Sequence, residues 1–123
     1  MKKGCVHVYM GENWKNLKTT QGMALRACGA GFSVGFYNFG QNLDGMLELA
    51  SRLPGLHILE NVRQDVAQLD MIFLHNCDLA QQSDLEKFLN SRPKDTEIVL
   101  CGTTFSDNVL AMADLVSEVV TTK

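Results

Sequence analysis

Short apolar runs alternate along this chain with segments in which apolar residues recur at helical spacing. The runs are rich in β-branched and aromatic side chains, which is typical of strands. Two of them, at residues 70–74 and 97–101, are almost continuously apolar, as in strands that are covered on both faces. The pattern predicts strands at residues 5–10, 33–38, 56–60, 70–74, 97–101 and 116–120.

Helical periodicity fills the intervals between these strands. In one interval Ser83 is followed three residues later by Glu86, a pattern that is typical of a capping box at a helix start. The spacing predicts helices at residues 22–29, 43–53, 83–91 and 107–115, and one or two helical turns at residues 62–69.

The repeated strand-then-helix order predicts the fold class. Such units form a mainly parallel sheet with helices on both faces, so we predict an α/β three-layer sandwich that forms a single domain over residues 1–123. Ligands of such sheets bind at the carboxyl ends of the strands. The loops to search for chemistry are therefore residues 11–18, 39–42, 75–82 and 102–106.

Composition narrows the classes of function. The net charge of −3 and the scattered basic residues argue against a nucleic-acid-binding protein. No apolar run approaches the ~18 residues of a membrane span, and none has the form of a signal-peptide core. The four cysteines, at positions 5, 28, 77 and 101, form no CxxC pair and predict buried, reduced thiols in a cytoplasmic protein.

The first loop has the setting of a phosphate-binding loop without its chemistry. It lies between a strand and a helix, where the pattern GxxxxGK[ST] is expected. Here Leu17 precedes Lys18, and no glycine follows Gly11 until Gly22. We expect Thr19 and Thr20 to open the helix by capping its free N–H groups.

Several segments, in order, resemble the P-loop type of ATP:corrinoid adenosyltransferase. They are Val8-Tyr9-Met10-Gly11, Gly22-Met23-Ala24-Leu25-Arg26-Ala27-Cys28-Gly29, Val34-Gly35-Phe36-Tyr37-Asn38-Phe39, Leu69-Asp70-Met71-Ile72-Phe73-Leu74, Leu89-Asn90-Ser91-Arg92-Pro93, Ile98-Val99-Leu100-Cys101-Gly102 and Ala113-Asp114-Leu115-Val116-Ser117-Glu118. The resemblance implies a P-loop NTPase-like sheet in a shortened member of that family.

The chain departs from the family pattern in the phosphate loop. In an ungapped alignment the loop glycines fall at Asn13 and Lys15, the phosphate-binding lysine at Asn16 and the metal-side threonine at Leu17. A gapped alternative places Lys18, Thr19 and Thr20 on the family's KTT. Either way the glycines of the phosphate nest are missing. A β-carbon at these positions disfavours the positive φ that a nest requires. The nucleotide-binding candidates are Gly11, Asn13, Trp14, Lys15, Asn16, Lys18, Thr19 and Thr20.

Two more polar features of the family pattern are missing at the strand ends. The family's acidic pair, which supports Mg²⁺, aligns with His75 and Asn76, and the arginine after the TG of the fifth strand aligns with Thr103. With Gly102, these residues form the candidate strand-end cleft. Thr103 and Thr104 have two interpretations, an anion site and a plain turn.

The remaining polar residues have competing interpretations. Trp14 is a candidate for stacking on a ligand, or for covering a helix end. A metal cluster would need His75, Cys77, Asp78 and Cys101 together, but these residues lack zinc-site spacing. We therefore predict no metal site and expect a packed or capping role for them. His7 and His57 are predicted to be core or edge residues.

Three hypotheses of function follow from the resemblance. The first is a corrinoid adenosyltransferase-like protein without efficient catalysis that binds a corrinoid, a nucleotide or a protein partner. The second is an active enzyme that moves the 5′-deoxyadenosyl group of ATP to a reduced corrinoid, with Mg²⁺ and with Lys15 or Lys18 and Thr19 or Thr20 holding phosphates. The third is a structural subunit, a homodimer or the partner of an intact relative.

Overall fold

The computed structural model describes residues 4–11, 13–39, 52–59 and 68–118, with the backbone alone at residues 13–19. Its strands form a six-stranded sheet in the order β3-β2-β4-β5-β1-β6, and every pairing is parallel. The strands are β1 (Val6–Met10), β2 (Val34–Asn38), β3 (Leu56–Ile58), β4 (Met71–His75), β5 (Glu97–Gly102) and β6 (Leu115–Glu118).

Helices cover both faces of this sheet, so the predicted α/β three-layer sandwich is confirmed. Ala24 and Ala27 of the first helix pack on the Phe36 and Phe73 face, whereas Leu85 and Val109 belong to the core cluster of the other face. The helices are α1 (Asn13–Gly29), α2 (Gln82–Asn90) and α3 (Asp107–Met112), and a single 3₁₀ turn, Cys77–Leu79, precedes α2.

The buried centre of the sheet explains the apolar runs. All five residues of β4 are buried, because β2 and β5 flank this strand and helices cover both of its faces. Such a strand needs apolar side chains in both directions, so its sequence does not alternate. The strand predictions at residues 70–74 and 97–101 are confirmed to within one residue.

The predicted start of the first helix is wrong. We expected a loop over residues 11–18 and capping by Thr19 and Thr20, but α1 is helical from Asn13. Residues 13–20 contain neither glycine nor proline, so nothing in the sequence interrupts the helix there. Thr20 consequently lies in the helix interior, where it is buried.

Two helix boundaries in the second half also differ from the prediction. The capping box at Ser83 is wrong, because α2 begins at Gln82 and the carbonyl oxygen of Gln81 accepts the N–H groups of Asp84 and Leu85. The last helix ends at Met112 rather than near 115. Asp114 exchanges backbone and side-chain hydrogen bonds with Val6, which starts the pairing of β6 with β1.

Some predictions lie outside the described residues. The helix predicted at residues 43–53 and the turns predicted at 62–69 fall there almost entirely, as does the end of the last strand. Among the helices that the structure describes, none is long and apolar enough to cross a membrane.

The cap of α3 provides a stability test with a matched control. The Ser106 hydroxyl accepts the N–H of Val109 at 3.2 Å, whereas Ser83 makes no cap. We expect Ser106→Ala to lower the free energy of unfolding by about 1 kcal/mol. Ser83→Ala should change it by no more than about 0.5 kcal/mol, because alanine is a good helix former. Urea denaturation measures both, and equal losses in the two variants would contradict the observed helix starts.

Candidate functional site at the carboxyl ends of the strands

The carboxyl ends of the parallel strands meet at one edge of the sheet. The N–H of Gly11, after β1, donates to the carbonyl oxygen of Gly102 at 3.0 Å, and the N–H of Phe39, after β2, donates to that of His75 at 3.0 Å. Through these bonds the described parts of the predicted loops adjoin in two pairs, the first with the last and the second with the third.

His75 ends β4 as a buried side chain. It is 2% exposed, and its ring stacks on Phe36 of the neighbouring strand with the ring centroids 4.4 Å apart. A hydrogen bond of 2.6 Å joins its Nε2 to the hydroxyl of Thr20 on α1. Burial lowers the pKa of His75 to about 3, so the imidazole is neutral at physiological pH.

Two buried thiols lie at the same ends of the strands, that of Cys77 just after β4 and that of Cys101 on β5. Burial raises the pKa of Cys77 to about 12 and that of Cys101 well above its usual range, where the proximity of Cys77 adds to the effect and a hydrogen bond with Thr20 opposes it. The Cys77 thiol also donates to the carbonyl oxygen of Leu74 at 3.4 Å. Both groups therefore stay protonated and do not act as thiolates.

The four cysteines are free. The prediction that they are buried is confirmed for Cys5, Cys77 and Cys101 and is wrong for Cys28, which is half-buried. Within the described parts of the chain, no three His, Cys, Asp or Glu side chains lie together as a metal site would require. The buried side chains of His75, Cys77 and Cys101 are neutral at physiological pH, because burial lowers the pKa of the imidazole and raises the pKa of both thiols.

Asn76 connects two of the strand ends. Its backbone is left-handed (φ 59°), a conformation that asparagine tolerates better than most residues. Its side-chain amide donates to the carbonyl oxygen of Phe39 at 3.1 Å, which ties the exit of β4 to that of β2. This predicted site residue has a structural role in holding the edge together.

Asp78 was considered as a metal ligand, with a packed or capping role preferred, and it holds the loop after β5 (residues 103–106, the β5 loop). Its carboxylate accepts the N–H of Thr103, 3.0 Å from each oxygen, and the N–H of Thr104 at 3.2 Å. Gly102 allows this approach, because a Cβ there would lie 3.2 Å from Asp78 Oδ1 and 3.3 Å from Cys77 Cβ. Thr103 and Thr104 do bind an anionic group, but it belongs to the same chain.

A cleft of about 410 Å³ opens beside this contact. The side-chain oxygen of Gln82, on its wall, accepts the N–H of Ser106 at 2.8 Å. The lining residues come from the 3₁₀ turn, the start of α2 and the β5 loop: Asp78, Ala80, Gln82, Thr104, Phe105 and Ser106.

Most nucleotide-binding candidates lie outside the described side chains, and their roles stay predictions: Asn13, Trp14, Lys15, Asn16, Lys18 and Thr19. Of the described ones, Gly11 is bonded to Gly102 through its backbone, and Thr20 is bonded to His75. His57 is exposed on β3, and His7 is half-buried on β1, where its Nε2 lies 3.0 Å from the Ser117 hydroxyl.

The contacts that sequence reasoning missed connect residues far apart in the chain. Thr20 and His75 are 55 positions apart, and Asp78 and Thr103 are 25 apart. The hydrophobic pattern contains no signal for either pair. Only the unusual histidine at the end of an apolar strand pointed to one of them.

The described residues at this edge do not fit Mg²⁺, a hard cation that prefers oxygen ligands. At the end of β4 the ion would meet a buried neutral imidazole, and both carboxylate oxygens of Asp78 already accept backbone N–H groups. We therefore assign no magnesium-dependent step to these residues.

Comparison with known proteins assigns the chain to a family. The model of the family "ATP:corrinoid adenosyltransferase BtuR/CobO/CobP" matches residues 55–123, more than half of the chain. The match contains β3 to β6 with His75, Cys77 and Cys101, and it does not include residues 11–20, so Thr20 lies outside it. No curated protein matches the chain. The chain therefore belongs to the ATP:corrinoid adenosyltransferase family.

Proposed function

We propose that this chain is a corrinoid adenosyltransferase-like protein that does not bind Mg-ATP for efficient adenosyl transfer and acts by binding another ligand or a protein partner. The main support for the proposal is the burial and neutral charge of His75. When the chain is aligned with the family pattern, this position belongs to the acidic pair that supports Mg²⁺. In this chain the side chain is a buried, neutral imidazole that is hydrogen-bonded to Thr20.

The backbone of α1 supports the same proposal. A phosphate nest needs successive N–H groups that are free to surround the phosphate oxygens. Because α1 is helical from Asn13, its backbone lacks the positive φ of a nest, and the N–H groups that have no partner within the helix are those of an ordinary first turn. Helical backbone thus occupies the positions where the resemblance places the loop glycines.

The β5 loop supports it as well. When the chain is aligned with the family pattern, Thr103 falls at the position of the family's arginine. The N–H groups of Thr103 and Thr104 donate to the carboxylate of Asp78. The described edge therefore presents neither a cation nor free backbone donors at this point. A corrinoid is the ligand class that the family suggests for such a domain, and homodimerisation and pairing with an intact relative stay predictions.

Titration of the purified chain with Mg-ATP tests the proposal. We expect no saturable heat up to about 1 mM ligand, because each lost charge-assisted bond to phosphate costs about 1.5–3 kcal/mol of binding free energy. A family member with an intact phosphate loop is the positive control, and circular dichroism of the same sample shows that the chain is folded. Turnover of Mg-ATP and a reduced corrinoid to an adenosylated product would overturn the proposal.

A further inference from the structure

The contact between Asp78 and the β5 loop has the geometry of an anion-binding site. Two successive backbone N–H groups, those of Thr103 and Thr104, converge on one carboxylate at 3.0–3.2 Å. Convergent backbone N–H groups of this kind bind phosphate and other oxyanions in many proteins. In this chain the anion is supplied by residue 78.

The surroundings of the contact disfavour a second anion. Asp78 is the charged residue among the described residues that line the cleft, and none of these is a lysine or an arginine. The side-chain oxygen of Gln82 faces the N–H of Ser106, so that donor is occupied too. A phosphate group entering the cleft would meet a carboxylate without a compensating cation, and like charges repel.

We propose that Asp78 is a specificity-determining residue: its carboxylate fills the anion position of the β5 loop and excludes phosphate-bearing ligands from the adjacent cleft. This inference deepens the proposed function and rests on it for the view that the edge binds a ligand other than Mg-ATP. The cleft then admits neutral or cationic groups, and removal of the Asp78 carboxylate creates a site for a small oxyanion.

The test uses inorganic phosphate as the probe and the backbone amide NMR signals of Thr103 and Thr104 as the readout. Asp78→Ala vacates the two N–H groups, and Asp78→Asn removes the charge while keeping one acceptor oxygen. Asp95→Ala and Asp95→Asn are the matched controls, because Asp95 is an exposed carboxylate before β5, at the opposite edge of the sheet. All five proteins, including the wild type, are titrated at the same pH and ionic strength.

We expect Asp78→Ala to bind phosphate at least about tenfold more tightly than the wild type, with saturable shifts of both amide signals. Asp78→Asn should show a smaller gain, and the Asp95 variants should behave as the wild type. Saturable binding at these amides in the wild type would overturn the proposal, as would a folded Asp78→Ala without any gain. If Asp78→Ala does not fold, the absence of a gain in Asp78→Asn relative to Asp95→Asn overturns it.

The outcomes also separate this inference from the proposed function. Binding of Mg-ATP to the wild type without shifts at Thr103 and Thr104 would contradict the proposed function and leave the role of Asp78 intact. Binding of phosphate at these amides in the wild type, without adenosyl transfer, would contradict the role of Asp78 alone.

Discussion

Replacement of His75 by alanine is expected to lower the free energy of unfolding by about 3 kcal/mol. The substitution removes a ring that is 2% exposed and stacked on Phe36, so it leaves a cavity between the central strands and α1. It also removes the hydrogen-bond partner that Thr20 has at 2.6 Å. Chemical denaturation monitored by circular dichroism measures the loss.

His57→Ala is the matched control for this variant. His57 is exposed on β3, an outer strand of the sheet, so its replacement should lower the free energy of unfolding by no more than about 0.5 kcal/mol. If His75→Ala lost less than about 1 kcal/mol, the imidazole would not be the buried, bonded group that the fold requires. The proposal that a structural histidine stands in place of the family's acidic pair would then be contradicted.

The stability of the wild-type chain is expected to fall as the pH drops below 6.5. Burial lowers the pKa of His75 in the folded chain to about 3, whereas in the unfolded chain it returns to about 6.5. Between these values the unfolded state binds a proton that the folded state does not, so His75 reduces stability by up to about 1.4 kcal/mol per pH unit in this window. Above pH 6.5 both states are neutral, and the contribution of His75 is flat.

A His75→Phe variant isolates this contribution, because phenylalanine keeps a ring against Phe36 but does not titrate. The unfolding free energy of the variant should depend less on pH between 6.5 and 4 than that of the wild type. His7 has a pKa lowered by burial and acts in the same direction in both proteins, so it cancels in the comparison. NMR of the wild-type His75 ring should show a neutral imidazole down to pH 5, and a protonated ring at pH 6 would contradict the account.

The sheet could be predicted because the burial of a strand determines the pattern of apolar residues in its own segment. The apolar runs that became β4 and β5 need no information from elsewhere in the chain, since a strand covered on both faces is apolar throughout. The start of α1 was missed because a family motif outweighed helix propensity at residues 13–20. The helix boundary at Gln82 was missed because the preceding 3₁₀ turn has no comparable sequence signal.

The candidate site was predicted in position but not in its contacts. Its placement follows from a general property of parallel sheets, and His75, Asn76, Gly102 and Thr103 do lie at the carboxyl ends of adjacent strands. The pairing of His75 with Thr20, and of Asp78 with Thr103, depends on how α1 and the β5 loop cross those ends. Such contacts between distant residues leave no periodic pattern in the sequence.

Both unpredicted contacts have the same chemical consequence. The hydroxyl of Thr20 and the N–H groups of Thr103 and Thr104 are polar groups that a phosphate-binding edge would offer to a ligand, and here they bond to His75 and Asp78. The edge is therefore stabilised by bonds within the chain, which links the proposed absence of a phosphate site to the stability effects expected for His75.

The central claim, that this family member does not use Mg-ATP, is tested most directly by calorimetric titration of the folded wild-type chain with Mg-ATP. The account predicts flat heats up to about 1 mM nucleotide. A one-site isotherm with a dissociation constant of about 1 μM, a binding free energy near −8 kcal/mol, would contradict it. That result would direct attention to Lys15 and Lys18 as the groups that hold the phosphates.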